Sequence, residues 1–227
     1  MMAGDFELAL KTVDAIARDY TVDAPASKAA LLSSAARNAR TPEEIKGLAG
    51  LYLRQGEDAL AADDLDSADR MIQQAAALAR RSKDAALQGR AEARAREILE
   101  MKPRFEKARK ARETLAASPE DPAAHLAVGQ YLCLCRGDWA SGLLHLARSA
   151  DPNYRNAAAK DLENPSEAPA QVAAGDAWYE LGERETGGAR LALRKRAALW
   201  YERAVLNLSG LTKIRVERRI NDIRLGK

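Results

Sequence analysis

The stretch DAWYELGERETGGARLALRKRAALWYERAVLNL, residues 176–208, carries two apolar rows at helical spacing on either side of a glycine-bearing turn. Trp178 and Leu181 are three apart, followed at once by Gly182. Ala197, Tyr201 and Ala204 are four and three apart. Residues at those intervals lie on one face of a helix. The pattern predicts two antiparallel helices in which small residues let the backbones approach and large ones fill the groove between them. Gly187-Gly188 lies in the turn. With neither the lysine nor the flanking glycines of a phosphate loop, and with no strand before it, it reads as a helix connector.

Working outward, two weaker versions of the same arrangement appear. One has Tyr52 and Gly56 in a first helix, Asp63-Asp64-Leu65 at the turn, and Ala68, Ile72 and Ala75 in a second. The other runs Leu126, Gly129 and Cys133, then Gly137-Asp138-Trp139, then Gly142 and Leu146, ending at Asp151-Pro152. Its glycine is displaced by one position. Trp178-x-x-Leu181-Gly182 and Ala197-x-x-x-Tyr201-x-x-Ala204 resemble the two halves of a tetratricopeptide (TPR) unit, a helix-turn-helix of about 34 residues. Here the turn is about three residues longer than that unit allows. Residues 121–220, with GQYLCLCRGDWASGLLHLA, DAWYELGERE and WYERAVLNLSGL, also resemble an uncharacterised helical segment of large bacterial multidomain proteins. There the segment accompanies kinase, sulfatase-maturation-like or carbohydrate-binding-like modules. The resemblance implies an accessory role and supplies no catalytic residues.

The rest of the chain is helical in pattern as well. Phe6, Ala9, Leu10, Val13, Ile16, Ala17 and Tyr20 form one apolar row, and Leu31, Leu32, Ala35, Ala36 and Ala39 form another. Thr41-Pro42-Glu43-Glu44 is a helix start, with Thr41 as N-cap and Glu44 placed to close a capping box. A long run from Asp84 to Leu115 keeps its row in phase across Pro103, where a kink or a new helix is expected. Ser118-Pro119-Glu120-Asp121-Pro122 breaks it and marks a boundary between 1–118 and 119–227. The predicted fold is all-α: a TPR-like solenoid of antiparallel helix pairs, one long connecting helix, and a basic helix capping the end.

Composition agrees with close helix packing: 47% of residues are hydrophobic and only 5% aromatic. The net charge of +3, from 36 basic and 33 acidic residues, does not by itself point to nucleic acid or a membrane. The charge is unevenly spread. Residues 41–69 are acidic, and residues 188–227 are rich in arginine and lysine. The opening residues lack a basic segment followed by a continuous apolar run, and no later stretch is long and apolar enough to span a bilayer, so a cytoplasmic protein is expected.

Candidate chemistry is sparse. Cys133, Cys135, His125 and His145 are the soft metal ligands, but the two cysteines diverge around one helix, so neither a metal nor a cofactor is expected. Trp139, Trp178 and Trp200 fall at packing positions of the repeat. If first helices line a concave face, Leu53, Glu57, Tyr131, Asp176, Tyr179 and Glu183 lie there. Tyr131, Asp176, Tyr179 and Glu183 are the predicted partner-binding residues. Such a face is acidic and aromatic, suited to a basic or aromatic-rich segment. Ala124 and Ala127 stand where some TPR domains clamp a peptide carboxylate. The expected function is a non-catalytic scaffold or protein-interaction module. The alternatives are self-association into a homo-oligomer through the long helix, or weak nucleic-acid binding by the basic C-terminal half.

Overall fold

The computed structural model describes residues 3–226. Among them are eleven α-helices and no strand. In chain order these are α1 Ala3–Asp19, α2 Ala24–Asn38, α3 Pro42–Ala61, α4 Leu65–Ser82, α5 Ala85–Ala117, α6 Pro122–Gln130, α7 Trp139–Leu146, α8 Pro152–Leu162, α9 Ala168–Gly182, α10 Gly187–Ala204 and α11 Gly210–Arg224. A π-helical turn, Tyr131–Arg136, continues α6, and a 3₁₀ turn, Val205–Asn207, follows α10.

Aspartates and one threonine set many of the helix starts. Asp23, Asp64, Asp121, Asp138 and Asp151 each accept a hydrogen bond from a backbone N–H of the first turn. Thr41 and Glu44 close the capping box read from the sequence. These side chains satisfy N–H groups that have no partner inside the helix. Helix α10 uses a tertiary substitute. Its N-cap, Thr186, makes no side-chain cap, and the carboxylate of Glu100 on α5 accepts from the Gly188 N–H at 3.2 Å. Gly187 has φ +56°, a left-handed conformation that calls for glycine.

Neighbouring helices pack as pairs, and the chain divides into two compact units, Met1–Leu99 and Glu100–Lys227. The division lies inside α5, not at the expected 118/119 break. The reason is that α5 beyond residue 100 packs into the second unit: Phe105 lies against the Tyr131 ring, Arg104 pairs with Glu185, and Ala111 clusters with Ala124 and Val128. Pro103 starts no new helix, because α5 runs unbroken across it. The proline sits on an exposed position, where water can replace the missing intrahelical bond.

In the first unit, α3 and α4 form the core, with Leu48, Leu51, Ala68, Ile72, Ala75 and Ala79 buried. Gly56 brings them together: a Cβ there would lie 2.6 Å from Ile72 Cδ1. Helix α1 is covered only in part. Leu10 is buried, but Ile16 is 43% exposed and Tyr20 is 70% exposed, contrary to the apolar row. Helix α1 ends at Asp19, which leaves Tyr20 outside it, and the facing α2 offers mainly alanine.

In the second unit the same device recurs twice. A Cβ on Gly129 would lie 2.7 Å from Leu146, and one on Gly175 would lie 2.6 Å from the Tyr201 ring. At the centre, the buried carboxylate of Asp161 accepts the indole N–H of Trp178 at 2.7 Å and of Trp200 at 2.9 Å. Arg196 binds both of its oxygens and lies over the Trp139 ring, which meets Trp178 edge-on. The three tryptophans thus have packing roles.

Candidate functional site

Asp176 and Tyr179 on α9 and Glu183, its C-cap, are spaced three and four apart and share one side of the helix. The structure brings them together with side chains of α10 and α11. Asp176 accepts from the Tyr201 hydroxyl at 2.6 Å, from Arg215 at 2.9 Å and from Arg219. Arg219 also donates to the Tyr201 hydroxyl at 2.7 Å. The Tyr179 ring lies under two guanidinium groups, Arg219 at 4.3 Å and Arg194 at 5.3 Å from its centre. Glu183 pairs with Arg194 at 2.6 Å and with Arg190 at 3.5 Å.

These contacts set the protonation states. The hydrogen bond from Arg194 holds the Glu183 carboxyl below its ordinary value. Burial, reinforced by the Asp176 carboxylate, pushes the Tyr201 phenol far up, so it stays a donor. The face is therefore a closed network of two carboxylates and four guanidiniums rather than an acidic surface. The expected preference for a basic ligand does not follow from it. The arginines that reverse its sign lie on α10 and α11, outside the first helices from which the face was read.

Tyr131 does not contribute an exposed ring. It opens the π-helical turn and is 1% exposed, packed edge-on against Phe105 with Arg112 over its face. Its expected partner role is corrected on that ground. In the first unit Leu53 is also buried, and Glu57 is held by Arg94 at 2.6 and 2.8 Å.

Cys133 and Cys135 are unpaired with each other. Burial raises the Cys133 thiol to about 12 and the Cys135 thiol to about 11. His125 and His145 bond one another, Nδ1 to Nδ1, at 2.9 Å. Among the described residues no three side chains of the metal-binding types gather, and no helix is long and apolar enough to cross a membrane. Open grooves lie in the first unit, two of them larger than 600 Å³. One, of about 650 Å³, lies among α2, α3 and α4 beside Tyr52 and Met71; the other, of about 630 Å³, lies among Phe6, Ala9, Leu31 and Ala35.

Sequence reasoning missed Asp161 and its ring of donors, because a lone acid near the end of an alanine-rich helix carries no local mark of burial. Two arginines four apart, Arg215 and Arg219, were a usable signal for a carboxylate partner on a neighbouring helix. No family model matches the chain, and no curated protein or solved structure is significantly similar to it.

Proposed function

We propose that the chain is a non-catalytic helical scaffold, a TPR-like array of antiparallel helix pairs that holds a protein or peptide partner. The observation that carries this reading is the repeated glycine-against-large-residue contact, Gly56 with Ile72, Gly129 with Leu146 and Gly175 with Tyr201, which joins consecutive helices by one rule. The ionic clusters support it too. Asp161 and Asp176 are saturated by donors from other helices, an arrangement that fixes helices in place. Within such a scaffold the partner face is the side of α9 with Tyr179 and Glu183, edged by Arg190 and Arg215. With guanidiniums in excess, it suits an acidic or aromatic segment.

The alternatives receive less support. On α5 the only exposed large hydrophobic residue is Leu99, a narrow basis for an intermolecular seam. Arg215, Arg219 and Arg224 are engaged by Asp176 and Glu202, which leaves fewer cations for phosphate. The test is affinity capture with the full chain and with Tyr179→Ala and Glu183→Ala variants, the retained protein then being titrated against each purified form. Loss of affinity of tenfold or more, about 1.4 kcal/mol, in either variant supports the assignment. Equal affinity in all three removes α9 from the interface.

A further inference from the structure

The Nδ1 atoms of His125 and His145 lie 2.9 Å apart, and Nε2 of His125 is 3.0 Å from the carbonyl oxygen of Pro119. A carbonyl oxygen only accepts, so Nε2 of His125 carries hydrogen. In the neutral ring Nδ1 of His125 is then bare, and Nδ1 of His145 must donate to it. One tautomer of each ring is thereby specified. The two bonds tie three elements: Pro119 lies in the turn between α5 and α6, His125 on α6 and His145 on α7.

We infer that the His125–His145 pair is an acid-opened latch that pins α7 and the α5–α6 turn to α6. A first proton can be taken on Nε2 of His145, outside the shared bond, which survives. A second has to go on Nδ1 of His125, which already faces an N–H. The bond is then lost, and two imidazolium rings stand with centroids 5.0 Å apart. His125 is 5% exposed, so water screens this repulsion poorly.

The surroundings act in the same direction. Arg112 of α5 and Arg148, just past α7, add positive charge, and with burial foremost they hold the His145 ring below its ordinary value. The acidic groups of the turn do little to offset this. Glu120 is exposed and directed to Arg148 at 3.6 Å, while Asp121 is occupied by the Ala124 N–H. The same positive neighbours disfavour a metal ion between the two rings. Because the bond needs one bare Nδ1, the latch holds while at least one of the two rings is neutral and is lost once acid has charged both.

What the latch holds is lightly built. Helix α6 has nine residues and α7 eight. The contact of α6 with α5 is a small cluster of Ala111, Ala124 and Val128, fringed by Leu115, Ala127 and Leu132. Leu143 and Leu146 of α7 belong to the larger core around Trp178, so the α5–α6 turn and α6, with little buried area of their own on the α5 side, open locally first.

The test is hydrogen–deuterium exchange of the full chain at about pH 7.5 and about pH 5, each corrected for intrinsic exchange. Amides of the α5–α6 turn and of α6 should open more often at the lower pH, by up to about tenfold per pH unit for each proton taken up, while α9 and α10 stay protected. His145→Gln offers an N–H to the neutral His125 ring and can turn its carbonyl oxygen to a protonated one without adding a second charge, and should flatten this response. Unchanged corrected exchange in the wild-type chain, or an acid response of full size in His145→Gln, overturns the latch.

Discussion

Trp178 and Trp200 donate their indole N–H groups to the same atom, Oδ2 of Asp161, from two antiparallel helices. One buried carboxylate thus stands where α8, α9 and α10 meet, and Arg196 supplies the opposite charge. Removing the carboxylate strands a half-buried guanidinium and two buried indole donors together. Asp161→Ala is therefore expected to cost about 3–5 kcal/mol, read from urea unfolding followed by tryptophan fluorescence. A loss below about 1 kcal/mol would show that the rings pack without it.

The glycines divide into two groups with opposite expected signs. Gly56→Ala and Gly175→Ala drive a methyl into Ile72 and into the Tyr201 ring, and are expected to cost about 1–3 kcal/mol each. Gly50 and Gly89 lie inside helices with nothing within 4 Å of an added Cβ, so alanine there should stabilise by about 0.5–1 kcal/mol. Thermal unfolding of the four variants checks both signs at once, and Gly56→Ala matching Gly50→Ala would refute the close approach of α3 and α4.

Both thiols should be inert while the chain is folded. Against an ordinary value of 9.0, a thiol raised to about 11 holds about a hundredfold less thiolate near neutral pH, and access is limited as well. A disulfide reagent at about pH 8 is expected to release a full signal only after denaturant is added. Fast labelling of the native chain would mean that the π-helical turn opens freely.

Acid should weaken the helix starts. The backbone and side-chain hydrogen bonds of Ser67 and Ser141 hold the Asp64 and Asp138 carboxyls below their ordinary values, and the backbone N–H groups of Arg40 and Thr41 do the same for Glu44. Since their folded values are depressed, the stability they add is complete above about pH 4 and lost as the pH falls through the folded values. Asn at positions 64 and 138 still caps but does not titrate, so the double variant Asp64→Asn, Asp138→Asn should show a shallower acid transition by circular dichroism.

The helix starts were legible in the sequence because they depend on neighbours three residues away: Thr41 with Glu44 and Asp64 with Ser67 are complete within one turn. The helices that carry Gly56 and Ile72, and those that carry Gly129 and Leu146, were legible too, since short turns fix which helices pair. In the last pair the glycine that meets the large ring lay outside the motif. Trp178-x-x-Leu181-Gly182 points to Gly182, whereas the Tyr201 ring lies over Gly175. In an antiparallel hairpin, moving two turns back along α9 meets a residue two turns onward along α10. Gly182 faces Arg194, and Gly175 accordingly faces Tyr201. The charge of the α9 face was illegible for a related reason. Its sign depends on Arg194, Arg215 and Arg219, which only the fold brings near. Burial of Tyr131 depends in the same way on Phe105, far back along the chain.

The π-helical turn at Tyr131–Arg136 bears on how this chain tolerates insertions and deletions. A π turn spends one more residue than an α turn over the same path. The middle pair is also the one whose glycine stands a position away from the pattern of the others. The two departures fit together as one inserted residue, taken up as a widened turn so that Gly137 and the start of α7 keep their places. Elsewhere in these helices, losing a residue would rotate every later side chain by about 100° and turn the buried face outward. Between residues 131 and 136, losing one would return the segment to ordinary α-helix and leave its neighbours in step.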